Sequence, residues 1–291
     1  MPELPEVEAL RSHLAERCAG RTVTRADPAA IAALKTYDPP LTALIGGTVD
    51  EVCRFGKFLA WSVLVDEQPH WLVVHLARAG WVRTGPTPAK PPRLGGKGPL
   101  LLRIGFDDDT CVEITEAGTQ RHAAIWVVHD PGEIPLLAEL GPDPLADSFD
   151  ADALGEILAG QGRTRIKTVL RDQRLIAGIG NAWSDEILHT AKMSPYTPAN
   201  SLDAGGVEHL WTVLRQVLQE AADRADGVEP TDLKDTKRSG MRVHGRTGEA
   251  CPVCGDTVAE VSFSDSSWQY CPTCQTDGKP LADRRMSRLL K

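Results

Sequence analysis

A chain of 291 residues with 42% hydrophobic and 25% charged residues, 26 Gly and 21 Pro is long enough for one large or two ordinary globular domains, and its composition excludes disordered, collagen-like and coiled-coil classes. No run approaches the roughly 18 to 20 apolar residues of a membrane span, and the acidic start Met1-Pro2-Glu3-Leu4-Pro5-Glu6 lacks the basic and apolar regions of a secretory signal, so a cytoplasmic protein with no membrane partner is expected. The net charge of −8 argues on average against a polyanionic partner, but the charge is segregated: residues 133–156 hold seven acids and no Lys or Arg, whereas 163–174, 234–246 and 279–291 each hold five bases and one acid. Local potential, rather than net charge, attracts phosphate, so these islands read either as a phosphate-binding surface or as three solvated faces.

In chain order, Val7, Leu10, Leu14 and Cys18 fall at helical spacing and predict an amphipathic helix over about 5–18, with Pro5 in its first turn. The period then changes. Segments 49–65, 71–83, 100–106, 111–115 and 123–128 are rich in Val, Ile, Trp and Leu and punctuated by Gly, Pro and an Asp107-Asp108-Asp109 turn, which predicts an antiparallel sandwich or barrel. A Pro- and Asp-rich stretch follows as a linker. Helical patterns begin at Leu154, Ile157 and Leu158, continue at Trp183, Ile187, Leu188 and Ala191, and are clearest from Val207 to Ala221. The tail from Gly245 has too little apolar material to fold without a staple.

That staple is Cys251-Pro-Val-Cys254, sixteen residues, then Cys271-Pro-Thr-Cys274. Two C-x2-C knuckles at this separation set four thiolates around one structural Zn²⁺, with room for a β-hairpin between them, and leave no position open for catalysis; a redox or iron role is the alternative. In the stretch 163–192, a helix end, a Gly178-Ile179-Gly180 turn and a helix opening at Asn181 form either a phosphate site, with Lys167, Arg171 and Arg174 close by in sequence, or a Gly-rich turn between core helices with Asn181 as a cap. At the N-terminus, removal of Met1 leaves Pro2 as a secondary amine able to form an iminium, with Glu3 and Glu6 as nearby carboxylates; Pro at a helix start is also ordinary capping.

MPELPEVE at the start, LGPDPL at 140–145, IAGIGNAWSDEIL at 176–188 and HGRTGEACPVCG leading into the four-cysteine finger occur in one order over nearly the whole chain. Together they resemble the formamidopyrimidine-DNA glycosylase and endonuclease VIII family. The resemblance implies an α+β multidomain fold: a catalytic antiparallel β-sandwich with flanking helices over 1–130, a linker over 131–148, a helix-two-turn-helix domain over 149–244 and a zinc finger over 245–291. It implies a monomer acting on double-stranded DNA that contains damaged bases or abasic sites. Pro2 resembles the family's nucleophile, Glu3 its catalytic acid, Glu6 a further acidic position, Lys57 its phosphate-binding lysine and Asn181 its phosphate-contacting asparagine. The implied reaction is displacement of the damaged base by the Pro2 amine while Glu3 protonates the sugar oxygen, then β-elimination, usually followed by δ-elimination, on a nucleotide flipped out of the stack.

Departures from the pattern bear on substrate. Ser266 stands where the family usually has a finger arginine, with Gln269 nearby; Arg78 stands where a void-filling Met is usual; and the Arg-x-Phe wedge is absent from 116–122, leaving Gln120, Arg121 or His122 to fill the gap. Residues 226–242 are short for the loop that covers oxidised guanine. These changes leave a second reading, a zinc-containing damaged-DNA-binding protein with little glycosylase activity, against which Pro2 and Glu3 both argue.

Overall fold

A computed structural model of the chain describes residues 1–118, 120–263 and 266–282. The chain divides into two compact units, Met1–Glu139 with Ala225–Leu233, and Leu140–Arg224 with Lys234–Lys291.

The first unit opens with helix α1 (Leu4–Cys18), whose buried positions Leu4, Val7, Leu10, Leu14 and Cys18 keep the predicted spacing. Eight strands follow: β1 (Val23–Pro28), β2 (Thr48–Phe55), β3 (Phe58–Val65), β4 (Gln68–His75), β5 (Gly80–Pro86), β6 (Leu100–Phe106), β7 (Thr110–Glu116) and β8 (Ala124–Val128), with a short helix α2 (Pro135–Ala138) after them. They form two four-stranded antiparallel sheets, β1-β6-β7-β5 and β2-β3-β4-β8, the expected sandwich. Val49, Leu59, Trp61, Val63, Leu72, Val82, Leu102, Ile104, Val112 and Ile114 belong to one continuous core. Strand β3 does not alternate: Phe58 to Val63 are all buried, because α1 packs on β2 and β3 and shields the face that would otherwise meet water.

The segment 71–83, read as one strand-like stretch, is two strands in different sheets. The chain turns between them with Ala77 at φ 50°, and the Gly80 N–H donates to the Leu76 carbonyl at 2.8 Å. A Cβ at Gly80 would lie 2.1 Å from that oxygen, so the turn requires glycine. The link 225–233 packs back on this unit: Ala225 and Leu233 are core residues, and the Trp81 indole donates to the Pro230 carbonyl at 2.9 Å.

The second unit contains α3 (Ala151–Gly160), α4 (Ile166–Arg171), α5 (Asn181–Thr190), α6 (Ala204–Ala225) and α7 (Leu233–Gly240), of which α6 and α7 each lend their terminal residue to the first unit. The long apolar stripe is α6, where Leu210, Leu214 and Leu218 are fully buried. A two-stranded antiparallel hairpin, β9 (Ala259–Ser262) and β10 (Ser267–Tyr270), then α8 (Pro272–Thr276), completes it. No helix of the described residues is long and apolar enough to cross a membrane. Residues 283–291, which carry four of the five bases of the last basic island, lie outside the described residues.

Candidate active site and zinc centre

In the first unit the N-terminal segment is buried. Pro2 is enclosed, and Glu3 and Glu6 are each 3% exposed. The two carboxylates form a reciprocal capping box: the Glu3 side chain accepts the Glu6 N–H, and the Glu6 side chain accepts the Glu3 N–H at 2.8 Å. Pro5 lies in the first turn, where its missing N–H costs nothing. Capping and reactivity are therefore compatible here: the acids are fixed at the positive end of α1, immediately after Pro2.

Lys57 lies in the two-residue turn between β2 and β3. Phe55 pairs with Phe58, and Gly56 takes φ 54°, which favours glycine at the first turn position. Lys57 is buried, and the His75 ring at the end of β4 lies opposite Phe58, with ring centroids 4.7 Å apart. Burial, assisted by the Lys57 charge, pushes the His75 imidazole down to about 4, so it is neutral at pH 7. The turn is tied to α1: Arg54 donates to Glu8 at 2.7 Å and to the Gly56 carbonyl at 3.4 Å. Burial acts to raise the Glu8 carboxyl, but its bonds with Arg54 and Arg11 outweigh that and hold it below the ordinary range.

Arg78 is exposed on the β4–β5 turn and Arg121 is exposed after β7. Arg121 donates to the Gly98 carbonyl at 2.6 Å. Its loop is shaped by Glu116, 1% exposed, whose carboxylate accepts the N–H groups of His122 at 3.0 Å and Ala123 at 2.9 Å. Sequence reading missed this anchor. It also missed that residues 68–106 hold six Lys or Arg and no acid, a longer one-sign run than any of the C-terminal islands.

In the second unit the structure corrects the reading of Lys167. It is 0% exposed, ion-paired to Asp185, within 3.4 Å of the Asn181 carbonyl and 5.2 Å from the Trp268 ring centroid. A lysine so enclosed neutralises a buried aspartate and is withdrawn from any surface phosphate. Arg171 is half-buried at the end of α4, and Arg174 is exposed beside Asp172. The Gly178 turn is formed with φ 88°, and α5 begins at Asn181 with Gly180 as its cap. Asn181 is thus inside the helix, not its cap. Its amide donates to the Ser267 carbonyl of β10 at 2.8 Å, and its buried Oδ1 has no protein partner. Gln269 is also turned inward, donating to Glu260 at 3.0 Å and Ser267 at 2.8 Å, so it does not replace a phosphate-binding finger arginine.

The four thiol sulfurs of Cys251, Cys254, Cys271 and Cys274 lie within 4.8 Å of one another, and β9–β10 occupies the gap between the knuckles. The Asp256 amide draws the Cys254 thiol below its ordinary value, whereas burial pushes Cys271 up to about 11 and Cys274 upward as well. A divalent cation reverses such a shift, because coordinating thiols deprotonate. Four convergent sulfurs with no open position fit one structural zinc.

The chain thus combines a two-sheet sandwich, a helical unit and a four-cysteine finger suited to structural zinc. Residues 1–120 match the formamidopyrimidine-DNA glycosylase N-terminal domain, 140–231 its H2TH domain, and 248–276 the zinc finger found in FPG and IleRS. The chain belongs to the formamidopyrimidine-DNA glycosylase family. It is 34% identical over 302 residues to the formamidopyrimidine-DNA glycosylase of Symbiobacterium thermophilum, covering 98% of this chain and 93% of that protein. An uncharacterized formamidopyrimidine-DNA glycosylase-like protein of Mycobacterium tuberculosis is 59% identical over 157 residues, 54% of this chain and 98% of that one. The Lactococcus lactis Fpg complex with abasic-site DNA superposes with a TM-score of 0.81 at 25% identity, covering 94% of this chain and 99% of that one.

Proposed function

We propose that the chain is a bifunctional DNA glycosylase and AP lyase of the cytoplasm that uses Pro2 as its nucleophile. The observation that carries this reading is the buried Pro2-Glu3-Glu6 cluster at the N-terminus of α1. A capping box needs no proline before it, and a binding protein needs neither an enclosed Pro2 nor buried acids beside it.

Once Met1 is removed, the Pro2 nitrogen is a secondary amine at a helix N-terminus, where the dipole disfavours its protonated form. Its lone pair attacks the anomeric carbon of the flipped nucleotide as the bond from that carbon to the base breaks, and the departing base takes up the proton that the Pro2 nitrogen loses. Glu3 delivers its proton to the sugar ring oxygen, the ring opens, and a Pro2 iminium remains. The iminium acidifies the adjacent C2′ proton; its loss expels the 3′ phosphate, and a second elimination expels the 5′ phosphate. Glu6, bonded to the Glu3 N–H, holds the acid in place. Lys57 supports phosphate at a turn braced by Arg54 and Glu8, and Asn181 offers N–H donors at the start of α5. Arg78 and Arg121 occupy the exposed turns from which side chains reach into the duplex, with Arg171 as a further cation on α4.

Borohydride reduction in the presence of abasic-site duplex tests the assignment. The chain should yield a covalent protein–DNA adduct that maps to Pro2; Pro2→Gly should lose most of it, and Glu3→Gln should lose base removal while keeping lyase activity on preformed abasic sites. An adduct on a lysine with Pro2→Gly unaffected would refute the assignment.

A further inference from the structure

We propose that His189 is an outer-shell residue of the zinc centre, donating its Nε2–H to the Cys251 thiolate, and that α5 thereby fixes Asn181 to the metal site. His189 is 2% exposed, its Nε2 lies 3.3 Å from the Cys251 sulfur, and its Nδ1 is buried without a partner. A buried imidazole with one unpaired nitrogen needs a strong partner for the other, and a metal-bound thiolate is a charged acceptor.

The four sulfurs are not served alike. Cys254 receives the Asp256 N–H and Cys271 receives the Cys274 N–H, whereas the Cys251 sulfur faces the His189 ring nitrogen. His189 supplies a side-chain donor to Cys251. Four thiolates around one divalent ion leave an excess of two negative charges, which N–H donors to sulfur offset.

The same face of α5 is fastened at four places. Asn181, Asp185 and His189 recur every fourth residue and so form one stripe. Asn181 donates to Ser267 at 2.8 Å; Asp185 bonds to His244 at 2.8 Å; and Glu186, beside the stripe, accepts the N–H groups of Arg242, Val243 and His244 at 2.8, 3.0 and 2.8 Å. From Asn181 to His189 the helix spans about 12 Å at 1.5 Å per residue. The residue assigned to phosphate and the residue touching the metal ligand are thus the two ends of one rigid bar.

The test uses the full chain as the zinc protein, with His189→Phe, which keeps a ring and removes the donor, and His189→Gln, which restores an N–H. Zinc release to a chromogenic chelator should be 10- to 100-fold faster for His189→Phe, with partial recovery in His189→Gln. In Co²⁺-loaded protein all three chains should show the same four-thiolate absorption, since His189 does not bind the metal. A wild-type spectrum of three sulfurs and one nitrogen would overturn the proposal, as would equal release rates. If His189→Phe does not fold, the comparison of wild type with His189→Gln carries the same decision. None of these readouts depends on catalysis, so they can fail while the Pro2 assignment stands, or the reverse.

Discussion

Replacing His75 by Phe isolates one electrostatic feature of the Lys57 turn. In the folded chain burial and the Lys57 charge press the imidazole from 6.5 to about 4. The folded value lies below the unfolded one, so the unfolded chain binds more protons between those limits and stability rises with pH across them. The contribution is complete above pH 6.5 and is lost as the pH falls toward 4. Linkage over that interval gives a loss of about 2 kcal/mol between pH 7.5 and pH 5, nearer 1 after solvent screening of a half-buried ring. Phe keeps the contact with the Phe58 ring and has no proton to take up. Guanidinium unfolding of the first-unit transition at pH 5, 6 and 7.5 should therefore show wild type losing about 1 to 2 kcal/mol more than His75→Phe on acidification. Parallel pH profiles for the two proteins would refute the assignment of a neutral His75 beside a charged Lys57.

Glu186→Ala removes the acceptor of three amide donors, of which the Val243 N–H is buried and those of Arg242 and His244 partly so, and should cost about 2 to 4 kcal/mol in the second unit, read as a fall in that unit's calorimetric transition with the first unit's unchanged. Lys57→Ala should weaken binding to abasic-analogue and intact duplexes alike and reduce the log–log salt slope by about 1, checked by fluorescence anisotropy at several salt concentrations. Glu116→Gln should loosen the Arg121 loop and slow base removal from a paired duplex more than cleavage at a preformed abasic site, measured in single-turnover assays.

The sandwich, the opening helix and the zinc knuckles were legible because each rests on local information: periodicity of Leu and Val, turn residues, and ligand spacing. Lys167 was not. Its neighbours in sequence are basic, and its partner Asp185 lies eighteen residues away on the next helix, where burial makes neutralisation the dominant need. The buried carboxylates Glu116 and Glu186 were hidden for the same reason: they accept backbone N–H groups, which leave no side-chain signature. The acid-free run 68–106 is present in the sequence, but it is diluted in a net charge of −8 and its six bases are spread over 39 residues, whereas each C-terminal island packs five bases into 12 or 13. The bonds from α5 to 242–244, Ser267 and Cys251 make zinc removal a perturbation of α5 as well as of the tail from Gly245, while the sandwich keeps its own core.

The stretch expected to be too short for a base-covering loop bears on which lesion is handled. Residues 225–233 are held in the first unit: Trp81 donates to Pro230, Arg17 bonds to Glu229 at 3.3 Å, and Leu233 is buried in the core. The next residues are wound into α7, and Lys237 lies 5.5 Å from the Trp183 ring centroid within the second unit. Little slack chain remains to wrap an extruded base. An 8-oxoguanine differs from guanine only at its edge, so selecting it requires a dense set of placed donors, whereas saturated pyrimidines and abasic sites are poorly stacked and extruded at lower cost. The expected order of single-turnover rates is abasic site, then oxidised pyrimidine or ring-opened purine, then 8-oxoguanine opposite cytosine. Faster cutting of 8-oxoguanine than of a saturated thymine would mean that α7 unwinds on DNA, and amide hydrogen exchange at 234–240 in the complex would then show protection lost where the free chain is helical.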